Sequence, residues 1–306
     1  MSKMRVILNP IARGYGAGIE SQLRQFLRKE KIDFKLVTTT GSGHATELAK
    51  QAVSDGFDIV VAAGGNGTCN EVINGLMAAS GDGVAGTFGI IPIGLGNEFA
   101  NAVGVPLQLQ EACHRLACGQ VRLLDVGRVT LPNGNTRYFG NTVGIGFNGR
   151  IAHNLESPNV RNIRWLRGFP MYLWMTLKAV TLYNLASVMK IEFDGKMIIQ
   201  PLLMVVVANG QCEGGVFLVA PRAELDDGFF DLLLIQEISR LQILRLIPCV
   251  MKGTHIDKKP VTMVRTRYVR VTSKAELVAH IDGEVLCTDV HQLEFEILPR
   301  RLRVVC

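Results

Sequence analysis

The sequence predicts an α/β protein: an open, mostly parallel sheet with helices on both faces in the first half, joined to a β-rich second half. Three observations carry that expectation. Short apolar runs alternate with helical stretches up to about residue 125. Glycine-rich turns follow those runs, at the carboxyl ends of strands where ligands of open α/β sheets gather. Beyond Asp125, strand-like runs succeed one another with few helices between them.

The elements follow in order. Residues 5–10 (Arg5 to Pro10) read as a short apolar strand stopped by proline. A turn with Gly14, Gly16 and Gly18 leads to a helix over Ile19–Glu30, with Ile19, Leu23, Phe26 and Leu27 at helical spacing. Phe34–Thr39 is a second strand and Gly43–Ser54 a second helix. Ile59–Ala63 reads as a strand buried on both faces, the turn Gly64-Gly65-Asn66-Gly67-Thr68 follows, and Asn70 opens a helix through Met77. Gly89–Ile93 is a fourth strand, ending at Gly94-Leu95-Gly96-Asn97. In the second half, strands are expected over 126–131, 138–143, 188–193, 197–207, 230–235, 261–272, 277–281 and 293–298. A helical pair over 161–184 and a shorter helix after Ser239 interrupt them. The domains are therefore expected at 1–125 and 126–294.

Composition narrows the function classes. With 306 residues, 48% hydrophobic and 20% charged, the chain can bury a large core and is not wholesale disordered. The seven cysteines form no C-x-x-C pair, and with no signal peptide they argue for reduced thiols and a cytoplasmic setting. The net charge of +6 suits anionic partners. The best membrane-span candidate, Phe169–Val180, is too short and contains Lys178. The arginines around Trp165 in 161–167 suit peripheral contact with an anionic membrane surface, equally a solvated helix face.

The turns carry the chemistry. A glycine-rich turn between strand and helix lets backbone N–H groups converge on an anion, and the helix N-terminus adds partial positive charge. No glycine turn is followed by Lys-Ser or Lys-Thr, which excludes a Walker A loop. A G-x-G-x-x-G match at Gly144, Gly146 and Gly149 is weak, because it lies where β-rich structure begins.

The combination is more specific than any single turn. Asn9-Pro10, the run Thr38 to Ala45, G-G-N-G-T with Asn70-Glu71, and Pro92-Ile93-Gly94-Leu95-Gly96-Asn97-Glu98-Phe99-Ala100 occur in order. They are followed by Val207-Ala208-Asn209-Gly210, Gly214-Gly215, Ala220-Pro221, Asp226-Asp227-Gly228-Phe229 and Ile281-Asp282-Gly283-Glu284. Together they resemble the diacylglycerol kinase and sphingosine kinase superfamily over nearly the whole chain, most of all its soluble bacterial lipid kinases. NAD kinases share the first glycine turn. The resemblance implies a nucleotide-binding α/β domain of the NAD kinase/diacylglycerol kinase type plus a β-sandwich-like domain, with a tail of about residues 295–306 returning to the first. It implies an ATP- and Mg²⁺-dependent kinase acting on diacylglycerol or a related lipid. Asn9, Pro10, Arg13, Thr40, Gly64, Gly65, Gly67, Thr68, Asn70, Gly94 and Asn97 would line the ATP site. Glu284 would be the general base, and Asp125 would join the polar network beside the nucleotide or merely cap local structure. A magnesium would be held by Asp227 with the carbonyls of Glu224 and Phe229, against the alternative of a plain hairpin turn. No nucleic-acid partner is implied, and a homo-oligomer is left open. The acyl chains need an apolar pocket, expected between the domains and lined by the 169–182 region.

The chain departs from the family pattern in places. Asn66 replaces the family's aspartate and carries no charge, Leu95 replaces a threonine, and Glu98 replaces an aspartate. The Ile11 to Gly14 turn departs from the usual form, and Arg13 there can pair with a phosphate. Asn66 and Leu95 raise the alternative of a catalytically impaired relative that binds nucleotide or lipid as a sensor or scaffold.

Overall fold

A computed structural model describes residues 2–12, 16, 18–94, 96–155, 169–182 and 186–306. The chain forms two compact units, Met1–Val126 with Pro299–Cys306, and Gly127–Leu298.

The first unit runs β1 (Lys3–Leu8), α1 (Ile19–Lys29), β2 (Asp33–Thr38), α2 (His44–Ser54), β3 (Ile59–Gly64), α3 (Asn66–Ser80), β4 (Ala85–Pro92), α4 (Glu98–Ala102) and α5 (Leu109–Cys118). Its sheet is mostly parallel: Val6 lies between Leu36 and Val61, Val61 pairs with Gly89, and Phe88 pairs with Val304 at the end of the chain. The all-apolar β3 is buried along its whole length, as a central strand covered on both faces must be. Leu23 and Leu27 of α1 pack onto Val6, Leu8 and Val61. Helices α2 and α3 approach closely because Gly75 has no side chain; a Cβ there would come within 2.4 Å of the Thr46 carbonyl oxygen.

Several boundaries differ from expectation: β1 spans Lys3–Leu8 rather than 5–10, α3 runs past Met77 to Ser80, and the strand expected from 126 begins at Val121. Strand β4 starts at Ala85, four residues before Gly89. Helix α3 starts at Asn66, inside the glycine turn, because Gly65 is still extended and the next residues already coil. The turn is thus the first turn of the helix, where the opening N–H groups have no intrahelical acceptor.

The second unit follows β5 (Val121–Thr130), which carries the chain into it. It contains β6 (Thr136–Phe139), β7 (Thr142–Gly146), α6 (Phe147–Leu155), α7 (Phe169–Leu182), β8 (Ser187–Phe193), β9 (Lys196–Ala208), β10 (Phe230–Gln236), α8 (Arg240–Met251), β11 (Val261–Thr266), β12 (Tyr268–Ile281) and the first part of β13 (Glu284–Val305), whose residues from Pro299 belong to the first unit. The antiparallel order is β11-β10-β9-β7-β12-β13, with β8 pairing both β9 and β12. One sheet face packs Val143, Ile191, Val205, Val271 and Ile281 with a stacked Phe139–Phe230 pair at 5.6 Å. The other packs Val206, Leu233 and Ile235 against Ile151, Met175 and Ile243 of α6, α7 and α8. Helix α8 starts at a capping box in which Ser239 and Gln242 satisfy each other's backbone N–H groups.

The expected strand 138–143 is two strands, separated where the N–H groups of Gly140 and Asn141 turn to the Asp282 carboxylate. The expected strand 261–272 divides at Arg267, and the runs 277–281 and 293–298 are parts of the longer β12 and β13. Helix α6 was not expected; Gly146, with φ of 85°, turns the chain from β7 directly into it. Of the helical pair expected over 161–184, residues 169–182 are helical and 161–168 lie outside the described residues.

Candidate active site

The glycine turns of the first unit are clasped together by side-chain amides. Gly94 lies so near Gly65 that a Cβ on it would stand 2.5 Å from the Gly65 Cα, so this approach admits only glycine. Ile93 N–H donates to the Gly64 carbonyl at 2.8 Å. Asn97, at a positive φ of 49°, closes its own turn: Oδ1 accepts from Gly94 N–H and Nδ2 donates to the Gly94 carbonyl. Asn66 Oδ1 accepts from Glu98 N–H at 2.8 Å and so caps α4 from the neighbouring turn. Asn9 Nδ2 donates to Thr68 Oγ1 at 3.0 Å, and its Oδ1 accepts from Ile11 N–H. Asn9, Gly64, Gly65, Asn66, Thr68, Gly94 and Asn97 are thereby linked in one polar cluster at the carboxyl ends of β1, β3 and β4. Gly67 lies on the same helical turn, Pro10 follows Asn9, and the buried Asn70 holds Asn74 one turn further on.

Thr40 is exposed at the end of β2. Its N–H donates to His44 Nδ1 at 3.0 Å. Glu71, quoted above only as part of a motif, accepts from the N–H groups of Gly43 and Ala45 at 2.8 and 2.9 Å. It caps α2 from α3 and fixes the Thr40 turn against the glycine turn. Asp125 is buried, and its Oδ1 accepts from Arg300 N–H at 2.7 Å, tying the returning chain end. Arg13 and Leu95 lie outside the described residues.

In the second unit Glu284 opens β13 beside the turn Asp282-Gly283, whose φ values are 47° and 88°. Its carboxylate is half-exposed and stands 3.9 Å from Arg137 Nη2. The buried Asp282 accepts three backbone N–H groups, from Gly140, Asn141 and Thr142, at 3.0–3.1 Å. The hairpin carrying Glu284 is therefore anchored rather than free to swing. Asn141 and Asn209 extend the anchor by donating to the carbonyls of Cys212 and Gly140. Nothing in the Asp282-Gly283 dipeptide itself marks this acceptor role, which depends on residues about 140 positions away.

Asp227 Oδ1 accepts from Phe229 N–H at 2.9 Å, and Oδ2 pairs with Arg265. Burial, with Asp227 and Glu224 nearby, raises the carboxyl of Asp231, and Arg265 opposes the rise. Among the described residues no cluster of three or more His, Cys, Asp or Glu side chains is arranged to hold a metal. The donors expected here are one carboxylate and backbone carbonyls, hard oxygens of the kind magnesium takes, with Arg265 as the present counter-charge.

A small space, partly open to solvent, lies inside the second unit. Its wall is mostly apolar, with Phe147, Ile151, Phe217, Leu246 and Val250 among its residues, and Thr176 comes from α7 of the expected 169–182 region.

Comparison with known proteins covers both halves. Residues 3–129 match the diacylglycerol kinase catalytic domain, and residues 141–306 match the YegS C-terminal NAD kinase beta sandwich-like domain. The chain is 30% identical over 289 residues to the diacylglycerol kinase of Bacillus subtilis (strain 168), covering 93% of this chain and 90% of that one. It is 28% identical to the diacylglycerol kinase of Mycobacterium tuberculosis (strain ATCC 25618 / H37Rv), covering 100% and 95%. A solved structure of a diacylglycerol kinase from Bacillus anthracis str. Sterne shares the fold, with a TM-score of 0.72 at 22% identity, covering 99% of this chain and 96% of that one.

Proposed function

The chain belongs to the diacylglycerol kinase family, and on that premise we propose that it transfers the γ-phosphoryl group of ATP to a hydroxyl of diacylglycerol or a related lipid. The carrying observation is the pair of glycine turns clasped at the start of α3, in a chain that matches this family from end to end. Backbone N–H groups at the opening of α3, the Thr68 hydroxyl and Asn9 would receive the nucleotide's phosphates. Lysine and arginine are sparse in these turns, so magnesium would supply much of the charge neutralisation. The Asp227 turn would hold a second, structural magnesium in competition with Arg265. Glu284 would accept the proton of the lipid hydroxyl, held in place by the Asp282 anchor. Relatives carrying the kinase name favour this reading over that of a catalytically impaired sensor or scaffold.

The acyl chains would enter the apolar space of the second unit. Nearby, α7 exposes Trp174 and Leu177, with Lys178 Nζ 5.4 Å from the Trp174 ring, and α8 exposes Leu241 and Leu244 beside Arg240 and Arg245. Such a mixture suits peripheral docking on an anionic membrane. No helix among the described residues is long and apolar enough to cross one. The test is transfer of labelled γ-phosphate to a lipid panel in the presence of magnesium. Nucleotide binding without transfer to any lipid would overturn the kinase reading.

A further inference from the structure

An acyl pocket needs no charge in its wall, yet Glu213 lines this one while only 3% exposed. Its Oε2 accepts from Asn148 Nδ2 at 2.6 Å. Its Oε1 makes no hydrogen bond within the chain and lies 3.4 Å from His280 Nε2. Asn148 lines the same space. A buried carboxylate oxygen beside an apolar cavity is costly unless something donates to it.

The fold makes room for this arrangement. A Cβ on Gly144 would stand 2.4 Å from His280 Nε2 and 2.8 Å from the Asn148 Cβ. A Cβ on Gly149 would stand 2.1 Å from the Val278 carbonyl oxygen, so its absence lets α6, which carries Asn148, settle onto β12, which carries His280. The G-x-G-x-x-G run is thus a packing device for these residues and not a dinucleotide turn.

The trio also lies close to the turn that carries Glu284. His280 pairs with Val285 and Ile281 with Glu284, so His280 is one residue pair from the turn that carries Glu284. The loop leading to Glu213 is tied to the same place, since the N–H groups of Asn209 and Gly210 donate to the Asn141 carbonyl and Asn141 N–H donates to Asp282.

We propose that Glu213, positioned by Asn148 and His280, is a specificity-determining subsite for the acceptor lipid. Its Oε1, beside His280 and with no hydrogen bond within the chain, takes one from a second donor on the lipid, distinct from the hydroxyl that is phosphorylated. The inference rests on the lipid-kinase reading above. Diacylglycerol has one donor, its reacting hydroxyl, and its esters only accept. A lipid with another hydroxyl or an amide N–H beside the reacting hydroxyl satisfies Oε1. The preferred class is therefore lipids with two donors, such as a monoacylglycerol or an N-acyl amino alcohol.

The experiment compares kcat/KM for 1,2-diacylglycerol, 1-monoacylglycerol and an N-acyl amino alcohol of equal chain length in mixed micelles, for the unmodified protein and Glu213→Gln. The unmodified protein should favour the two-donor lipids by about tenfold or more, a modest share of what a site built for a donor can reach. Glu213→Gln should shrink the preference to within about threefold, through KM. A preference for diacylglycerol, a preference unchanged by Glu213→Gln, or an equal loss on all three lipids would overturn the proposal. If Glu213→Gln does not fold, the selectivity of the unmodified protein decides alone. If no lipid is phosphorylated, the kinase reading fails separately. The subsite is then judged by the lipids' shifts in melting temperature without ATP: larger shifts with two-donor lipids support it, and equal shifts overturn it.

Discussion

Replacing Asn66 by aspartate tests how the two glycine turns share charge. Asn66 Oδ1 accepts from Glu98 N–H at 2.8 Å, a bond that aspartate keeps. The change lies in Nδ2, which becomes an anionic oxygen. A Cβ on Gly96 would stand 3.3 Å from Asn66 Nδ2 and 3.4 Å from Glu98 Oε1, so those atoms are no farther apart than the sum, 6.7 Å. Two like charges at that separation repel by about 2.5 kcal/mol at an effective dielectric of ~20 and by about 0.6 kcal/mol in bulk water. Glu98 is buried and Asn66 half-buried, which places the expected cost between these limits, at about 1–2 kcal/mol. Without divalent metal, Asn66→Asp should therefore unfold at lower denaturant at neutral pH. The deficit should close at about pH 4 and below, where carboxylates take up protons. It should also close when magnesium and a non-hydrolysable nucleotide are added. The assay is a set of chemical melts at pH 7 and pH 4, with and without magnesium-nucleotide. Equal stability of the two proteins at pH 7 without metal would refute the charge argument, as would a deficit that persists unchanged at pH 4.

Three other outcomes are expected. Glu284→Gln should lower kcat by about 10²–10⁴-fold and leave stability within about 0.5 kcal/mol, since this carboxylate is half-exposed; lipid phosphorylation rates and a urea melt check both. Asp282→Ala should cost about 3 kcal/mol or more in a urea melt, because three backbone N–H groups lose their acceptor together. Asp231 has a raised folded-state pKa through burial, so the fold binds its proton more tightly than the unfolded chain does. This carboxyl therefore favours the fold as pH falls from its raised value toward the ordinary aspartate range, and opposes it at higher pH. Asp231→Asn should accordingly raise the melting temperature at neutral pH without magnesium and lose that advantage in acid.

Much of the first unit was legible because its signals are local. Apolar runs such as Ile59–Ala63 and the helical spacing of Leu23 and Leu27 need no distant partner to be read. Strand ends in the second unit were harder, since Gly140-Asn141 and Arg267 interrupt runs that are apolar on either side. What breaks the first of these is the Asp282 carboxylate, 141 residues from Asn141 in sequence. The site divides in the same way. The glycine turns were visible, but Glu71 capping α2 and Asn66 capping α4 depend on which turns become neighbours. Glu213 had no sequence signal, because a lone glutamate between Cys212 and Gly214 acquires meaning only from the cavity beside it.

The two Asp-Gly hairpins make the same point about the candidate base. Asp194-Gly195 and Asp282-Gly283 adopt nearly the same turn, with φ values of 46° and 74° in one and 47° and 88° in the other. Backbone conformation therefore cannot distinguish them, and neither can the dipeptide. Their surroundings do. Asp194 is exposed at the tip of the β8–β9 hairpin, whereas Asp282 is buried and accepts three N–H groups from the gap between β6 and β7. A buried carboxylate that accepts several backbone N–H groups fixes the chain that follows it. The residue that follows Gly283 is Glu284, so the anchor supplies what a general base requires, a carboxylate whose direction of approach is set before substrate arrives. The equivalent position after Gly195 is Lys196, on a tip with no such anchor among its described contacts. The burial of Asp282, not the shared turn, is what singles out Glu284.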